Sequence, residues 1–362
     1  MISIVLGTRP EIIKMSPVIR LCVEQELEYQ LIHTGQHYSI NMDKVFFDEL
    51  HLPQPDSSLD VGTESSLQGH QTGLMLQGIE EVLMRTKPDV VLVQGDTNSV
   101  LAGALAACKL QIKVGHVEAG LRSYDRNMPE EHNRVMTDHI SDYLFCPTKE
   151  AALNCRKEGI PEEFIHVTGN TIVDAVQQNL KISEKESNIM KTLDLEENGF
   201  ILMTAHRQEN VDDKTRFSNI IKACSLINER IIYPIHPRAR KMFNEFGLQA
   251  SDNLKLIEPL GYLDFLKLEN NARLIMTDSG GLQEEACILG TPCLTLRENT
   301  ERPETVEVGA NKVVGFEPEN ISAEVKDIPE DKREYENPFG DGKASERIID
   351  ITTEPKDQVV DL

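Results

Sequence analysis

The sequence contains no tryptophan, and only 5% of its 362 residues are aromatic. No apolar run approaches the ~18 uninterrupted residues of a membrane-spanning helix. Its seven cysteines form no CxxC pair, which argues against a cysteine-built zinc site and favours free thiols in a reducing cytoplasm. The apolar start, residues 1–14, lacks a basic leader and a small-residue cleavage site, so it predicts a first strand and not a signal peptide. We therefore expect a cytoplasmic protein.

Basic residues are scarce: 37 lysines and arginines stand against 60 aspartates and glutamates, which gives a formal net charge of −23. Nucleic acids and anionic membranes bind basic surfaces, so neither is expected as a partner. A small anionic ligand is still compatible with this charge, because a few local cations can focus positive potential inside an acidic protein. A hydrophobic content of 40% is typical of a folded globular chain.

Short apolar runs alternate with amphipathic helical stretches along the whole chain. Such runs predict strands buried on both faces, which helices join into parallel sheets. The length fits two domains. We predict an α/β fold with two Rossmann-like domains, residues 1–170 and 199–340, a connecting helix and charged linker over 171–198, and a closing helix and tail over 341–362. The predicted strands are Ile2–Leu6, Gln30–His33, Val90–Gln94, Lys113–His116, Tyr143–Cys146, Ile165–Thr168, Phe200–Thr204, Ile231–Ile235, Leu254–Ile257, Leu274–Thr277, Pro292–Thr295 and Lys312–Val314.

Cationic side chains follow the first predicted strand. This strand ends in Gly7-Thr8-Arg9-Pro10, and Lys14 lies about a turn into the next helix. Anions bind where helix N-termini meet the carboxyl ends of parallel strands, so Arg9 and Lys14 are candidate ligand contacts. The motif is neither GxGxxG nor a P-loop, and an ordinary strand–helix turn with a surface arginine would also account for it.

A second candidate anion site follows the strand that ends at Thr277. The next residues are Asp278, Ser279 and two glycines, and a helix carrying Glu285 comes after them. Paired glycines let a ligand approach the backbone, and the amides of a helix start suit a diphosphate. A glutamate early in this helix suits ribose hydroxyls. An ordinary helix N-cap at Ser279 or Asp278 would explain the polar residues but not both glycines.

Three carboxylates follow neighbouring predicted strands or the loop after them: Asp96, Glu118 and Glu130, with His116 and Arg134 close by in the sequence. The carboxyl ends of parallel strands meet at one sheet edge. Crowding and burial can raise the pKa of one carboxyl while an arginine keeps another ionised. The set predicts a proton-transfer site, although each residue taken alone fits a solvated loop charge.

Two histidines follow strands of the second predicted domain. His206, with Arg207 beside it, could act as an acid or donate to a phosphate, whereas His236 could contact a ligand or cap a loop. No two histidines stand at i and i+4, as a helical zinc site requires, and no GxSxG elbow follows a strand. Neither a metal nor a serine-hydrolase triad is therefore expected.

Ten segments, in this order over residues 1–315, resemble the non-hydrolysing UDP-N-acetylglucosamine 2-epimerase family. They are GTRPEIIK, TGQHY, VQGDTNSVLAGALAA, HVEAGLRS, MPEEHNR, VTGNTIVDAV, TAHRQEN, PLGY, TDSGGLQEEA and RENTERPE. The resemblance implies a GT-B-like fold whose two domains face across a cleft that holds a UDP-sugar, a closing helix that crosses back to the first domain, and a homodimer. The family interconverts UDP-GlcNAc and UDP-ManNAc without a metal or nicotinamide, so no cofactor is expected.

The resemblance also implies a mechanism and assigns roles. UDP leaves C1 as the C2 proton is removed, and it returns to the 2-acetamidoglucal as C2 is reprotonated on the other face. The expected proton-transfer residues are Asp96, Glu118, Glu130 and His206, with the order of base and acid open. The expected substrate-binding residues are Arg9, Lys14, Arg134, Arg207, His236, Ser279, Gly280, Gly281 and Glu285. The expected contacts to a second UDP-GlcNAc, an activator in bacterial members, are Gln36 and His37.

One loop departs from the family pattern. Residues 124–128 lead directly into Pro129-Glu130-Glu131, where many bacterial members carry a longer, aromatic-containing loop. The short form also occurs in relatives that act on UDP-sugars modified at C3 and C6, so the exact hexose is open. A hydrolysing epimerase that releases ManNAc, a GT-B glycosyltransferase with a separate acceptor and an inactive UDP-sugar sensor would each also fit a sequence of this kind.

Overall fold

Parallel strands form two separate sheets in the computed structural model, which describes residues 1–36, 40–63, 67–328 and 335–354. The chain divides into a first unit, Met1–Gln178 with Phe339–Leu362, and a second unit, Asn179–Pro338. The division at Gln178 and Asn179 falls inside one helix, Thr171–Glu186. None of the described helices is long and apolar enough to cross a membrane.

Thirteen strands are described. They are β1 Ile2–Leu6, β2 Tyr29–His33, β3 Ser57–Ser58, β4 Val90–Gln94, β5 Lys113–Val117, β6 Tyr143–Cys146, β7 Ile165–Val167, β8 Ile201–Thr204, β9 Ile231–Pro234, β10 Leu254–Ile257, β11 Leu274–Thr277, β12 Cys293–Thr295 and β13 Asn311–Val313. Short 3-10 turns span Val61–Thr63 and Glu162–Phe164. Buried, β-branched runs such as β1 and β4 explain why these segments form interior strands.

Helices connect the strands. They are α1 Arg9–Glu24, α2 Ile40–Glu49, α3 Gln68–Thr86, α4 Asn98–Lys109, α5 Pro129–His139, α6 Lys149–Lys157, α7 Thr171–Glu186, α8 Ile189–Leu193, α9 Gln208–Val211, α10 Lys214–Leu226, α11 Pro237–Glu245, α12 Tyr262–Asn271, α13 Gly280–Leu289, α14 Pro303–Glu307, α15 Pro318–Asp327 and α16 Ala344–Thr353. The predicted α/β class is confirmed.

The strand order determines where ligands are expected. The first unit has the order β3-β2-β1-β4-β5-β6-β7 and the second has β10-β9-β8-β11-β12-β13, with parallel pairing throughout. In each sheet the order reverses beside the first strand of the unit, between β1 and β4 and between β8 and β11. Open α/β sheets bind ligands at such switch points, outside the carboxyl ends of the strands.

All twelve predicted strands are present, and their ends differ from the prediction by at most one residue. The two-residue edge strand β3 was not predicted, because two serines produce no apolar run. The charged stretch expected as a linker carries the end of α7 and all of α8. Ile189 and Leu193 lie four residues apart, so one face of α8 packs into the second unit's core while its charged neighbours stay outside.

The last described helix belongs to the first unit. α16 packs against α1, and its buried Ile348 and Ile349 contribute apolar area. Asp174 on α7 accepts hydrogen bonds from the backbone amides of Ala344, at 3.2 Å, and Ser345, at 2.9 Å. This carboxylate satisfies the free amides at the start of α16, because a helix N-terminus leaves its first donors without intrahelical partners.

Candidate active site

Glu118, directly after β5, has a carboxylate surrounded by donors. Lys14 Nζ, from α1, lies 2.7 Å from its Oε1 and 2.8 Å from its Oε2. The amide of Gln94, the last residue of β4, also donates to Oε2. The first unit's switch point therefore brings together one predicted proton-transfer residue and one predicted cation. This geometry fits an ionised carboxylate that can accept a proton.

The backbone of Glu118 is strained as well. Its φ is +71°, in the left-handed region that non-glycine residues rarely occupy. Such conformations persist where the surrounding contacts hold them, and they cluster at active sites. The bonds from Lys14 and Gln94 are contacts of that kind.

Asp96 lies after β4, beside the strand that leads to Glu118, and pairs with Arg134 from α5. The same guanidinium contacts Glu131 at 2.8 Å. The Asn133 amide donates to the backbone oxygen of Asp96 at 2.9 Å, which ties the turn after β4 to α5. The side chain of Asp96 is one-third exposed (33%), so the carboxylate is accessible to a ligand.

The first turn of α5 carries two carboxylates with different surroundings. Burial favours a higher pKa for Glu131, but hydrogen bonds from the amides of Ser123 and Tyr124, 2.9 Å each, and the charge of Arg134 hold it below its usual value. Glu131 thus anchors the short loop before the helix. Glu130 is half-buried and, among the described residues, forms no ion pair. Glu130 is therefore the less constrained of the two carboxylates.

Two other predicted contacts lie in the first unit. The Arg9 guanidinium lies over the Phe46 ring, 5.7 Å from its centroid, a cation–π contact. Gln36 is buried, and its side-chain oxygen accepts from the backbone amide of Ser99 at 3.1 Å and from its hydroxyl at 2.7 Å. His37 lies outside the described residues.

The sequence analysis did not identify Glu11, a buried carboxyl next to the first unit's sheet edge. It accepts hydrogen bonds from the amides of Gly7, at 2.5 Å, and Thr8, at 3.1 Å, and from the Thr97 hydroxyl at 2.5 Å. Burial raises the pKa of Glu11 to about 7, against the lowering effect of these donors. The spacing of Thr8 and Glu11 is that of a capping box, a local signal that could have revealed it.

Asp138, at the end of α5, was also missed. It is fully buried and lies 2.6 Å from His116 Nδ1, 3.0 Å from the Gly120 amide and 2.7 Å from Arg122. His116 Nε2 lies 2.7 Å from the carbonyl oxygen of Gly95, so His116 bonds inward and is not a ligand contact. Burial opposes ionisation, but His116 and Arg122 hold the pKa of Asp138 below its usual value. This carboxylate ties together the two strand ends that carry Asp96 and Glu118.

In the second unit, a buried carboxylate likewise organises the switch point. Asp278 accepts from the backbone amides of His206, at 3.0 Å, and Arg207, at 3.0 Å, and from the Asn210 amide at 3.1 Å. His206 Nδ1 lies 3.3 Å from the same carboxylate. Burial lowers the pKa of His206 more than the attraction of Asp278 raises it. The His206 imidazole is therefore neutral and, being 40% exposed, can exchange a proton with a ligand or form a hydrogen bond to it.

His236 is the N-cap of α11. Its Nδ1 accepts from the backbone amide of Arg238 at 3.2 Å, so this histidine caps a helix and not the loop that the alternative interpretation gave it. Its ring lies 6.1 Å from that of His206. Capping occupies one ring nitrogen, and a contact through the other one remains a prediction.

The start of α13 has the form expected of an anion cradle. Ser279 is its N-cap, and Gly280 and Gly281 are its first two residues. A Cβ added to either glycine would meet no heavy atom closer than 3.9 Å, and neither has a positive φ. Neither backbone conformation nor packing therefore requires glycine here. A ligand that approaches the backbone would explain both.

Glu285 lies further along α13. Its carboxylate is 7% exposed and accepts from the Tyr262 hydroxyl at 2.9 Å. Arg207 lies 3.6 Å from Glu301, near the same helix start. Across the described ranges, no three histidine, cysteine or acidic side chains are arranged to hold a metal ion.

Comparison with known proteins shows which family the chain matches. The family model described as UDP-N-acetylglucosamine 2-epimerase matches residues 20–353. The UDP-N-acetylglucosamine 2-epimerase of Methanocaldococcus jannaschii is 56% identical, over 97% of this chain and 98% of that protein. The protein of the same name from Methanococcus maripaludis is 57% identical, over 97% of each chain.

The fold agrees too. A solved structure of the Methanocaldococcus jannaschii UDP-GlcNAc 2-epimerase in complex with UDP-GlcNAc and UDP superposes with a TM-score of 0.84 at 56% identity. The match covers 97% of this chain and 99% of that one. The predictions of family and of a GT-B-like fold class are confirmed. The chain belongs to the UDP-N-acetylglucosamine 2-epimerase family.

Proposed function

We propose that this protein interconverts UDP-N-acetylglucosamine and UDP-N-acetylmannosamine by inverting C2 of the sugar. The observation that carries the proposal is the carboxylate of Glu118, held by Lys14 and Gln94 at a switch point where Asp96 and its partner Arg134 also lie. A buried carboxylate held by donors and a partly exposed one at the same sheet edge supply what a proton transfer at carbon needs. The UDP-GlcNAc named in the relatives' descriptions supplies the substrate class.

The proposed reaction is an elimination followed by an addition. The C2 proton passes to an enzyme base as the C1–O bond breaks, and the electron pair of that bond leaves with UDP. The product is a 2-acetamidoglucal. UDP then adds back to C1 while an acid protonates C2 from the opposite face, so no atom is gained or lost and no oxidant is needed. Cations and amides around the diphosphate lower the barrier by stabilising the leaving group.

We assign the two proton transfers to the set Asp96, Glu118, Glu130 and His206. Glu118 fits a base because Lys14 and Gln94 hold its carboxylate in place at the sheet edge. Glu130, which forms no ion pair among the described residues, fits a group that changes its charge during the cycle.

We assign the nucleotide to the start of α13. The free amides and positive dipole end of this helix suit a diphosphate, with Ser279, Gly280 and Gly281 as backbone contacts and Glu285 on the ribose. Arg9, Lys14, Arg134, Arg207 and His236 complete the proposed substrate contacts. The proposal also includes a cytoplasmic homodimer and a second UDP-GlcNAc bound as activator at Gln36 and His37.

Replacing Gly280 by alanine should weaken UDP binding while leaving the stability of the fold nearly unchanged. The added methyl meets no protein atom closer than 3.9 Å, so the free energy of unfolding should change by no more than about 1 kcal/mol. UDP affinity, measured by calorimetry, should fall about tenfold because the methyl occupies the space where a phosphate would approach. Gly73→Ala, within α3 and open to space, is the matched control and should bind normally. Unchanged UDP affinity in Gly280→Ala would remove α13 from the diphosphate site.

The function itself is tested by incubation with UDP-GlcNAc in deuterated water, followed by NMR and mass spectrometry. Epimerisation should place deuterium at C2 of both UDP-sugars. Free ManNAc as the sole product would identify a hydrolysing enzyme. Retention of protium at C2, with turnover only when an acceptor is added, would identify a glycosyltransferase. Running the assay over UDP-sugars modified at C3 and C6 determines the preferred hexose.

A further inference from the structure

A buried acid group lies on α12, the helix whose Tyr262 contacts the proposed ribose residue Glu285. Glu269, on α12, is fully buried, and within the described part of the chain no hydrogen-bond donor reaches either of its carboxyl oxygens. Its backbone oxygen accepts from the Thr291 hydroxyl at 3.0 Å, which fixes this turn of the helix. Burying an ionised carboxylate without a partner is costly, so the neutral acid is the form that this environment favours.

The neighbour of Glu269 is the carboxyl of Glu285. Burial first, and then the charge and hydrogen bonding of Glu285, raise the pKa of Glu269 well above its usual value of 4.5. Glu285 itself accepts from the Tyr262 hydroxyl at 2.9 Å. Two carboxyls that share one site cannot both ionise readily, so the pair holds a proton. That proton belongs on Glu269, which has no exposed surface, whereas Glu285 is 7% exposed and has a donor in Tyr262.

We propose that Glu269 is a positioning residue for the nucleotide: as a neutral acid it donates a hydrogen bond to Glu285 and, with Tyr262, orients that carboxylate toward the ribose hydroxyls. The inference rests on the proposed function, because it uses Glu285 as the ribose contact. In this arrangement Glu285 contacts the ribose, and donors on α12 hold its carboxylate in one orientation. A fixed carboxylate loses less conformational entropy when a ligand hydroxyl binds to it.

Two variants of Glu269 separate this role from a purely structural one. Glutamine has nearly the shape of the neutral acid and keeps an N–H donor for Glu285. Leucine has a similar size but no donor, and it suits a buried site. Thermal unfolding should show both variants folded, since neither buries a charge or opens a large cavity.

The readout is discrimination between UDP and 2′-deoxy-UDP, measured by calorimetry. The wild-type protein should bind UDP about tenfold more tightly than the deoxy analogue, the scale of a hydrogen bond to a charged group. Glu269→Gln should keep this ratio, and Glu269→Leu should reduce it to near unity, with most of the loss in UDP binding. A leucine variant that keeps the full ratio, or a glutamine variant that loses it, would overturn the inference.

Infrared spectroscopy tests the proton directly. At neutral pH the difference spectrum, wild type minus Glu269→Gln, should show the C=O stretch of a protonated carboxyl. The contribution of Glu11, whose pKa burial raises to about 7, is common to both proteins and cancels. A difference spectrum without that band would place no proton on Glu269 and overturn the inference. A wild-type protein that binds no UDP at all would instead overturn the proposed function, on which the inference depends.

Discussion

Replacing Glu118 by glutamine should reduce the turnover of UDP-GlcNAc at least ~100-fold, the usual scale for losing a general acid or base. The amide is nearly isosteric but neither accepts nor returns a proton. Lys14 would also lose the carboxylate that it contacts at 2.7 and 2.8 Å. The measurement is the initial rate of UDP-ManNAc formation followed by NMR, with deuterium incorporation at C2 recorded in the same sample.

The effect should appear mainly in kcat, because Glu118 is a proposed proton-transfer residue. UDP affinity should change less, because the proposed diphosphate and ribose contacts on α13 are intact and only Lys14, a proposed substrate contact, loses its carboxylate partner. A suitable control is Glu150→Gln, an exposed carboxylate on α6 whose cation partner, Lys157, lies 3.6 Å away. That variant should turn over at the wild-type rate. Near wild-type turnover in Glu118→Gln would remove Glu118 from the mechanism.

The sequence allowed the strands, and therefore the positions of Asp96 and Glu118, to be predicted, because buried β-branched runs mark strands and the residues after them fall at the sheet edge. Glu11 could have been found from its capping-box spacing to Thr8. The contribution of each site residue to binding or catalysis remains a prediction.

The carboxylates that organise the site could not be found in this way. Asp138 reaches His116 across 22 residues, and Asp278 reaches the amide of His206 across 72. No local pattern marks such pairings, because they depend on which strands become neighbours in the sheet. Glu269 stands in the polar stretch 269–273, where a charged residue ordinarily indicates a solvated helix face. Its burial follows from how α12 packs against α13, which periodicity alone does not give.

Replacing Asp138 by asparagine should lower the free energy of unfolding by about 3 kcal/mol, because it leaves the buried Arg122 and His116 without the anion they share. Urea unfolding at neutral pH measures the loss. Turnover should fall as well, since Asp138 holds the Gly120 amide at 3.0 Å and, through His116, the Gly95 carbonyl. These contacts fix the strand ends that carry the proposed proton-transfer residues, and small displacements of reacting groups are costly.

The pKa of Asp138 determines how the stability loss in Asp138→Asn should depend on pH. The pKa of Asp138 is lower in the folded protein than its usual 3.8, so its stabilisation is complete above that value and is lost as the pH falls through the folded-state pKa. The stability difference between wild type and Asp138→Asn should therefore be constant near neutrality and shrink in acid. Glu158→Gln removes the other carboxylate on Arg122, which is partly exposed at 26%, and should cost less than about 1 kcal/mol. Equal losses of unfolding free energy in the two variants would contradict this prediction. They would mean that either carboxylate stabilises Arg122 equally well and that Asp138 does not specifically join the two strand ends.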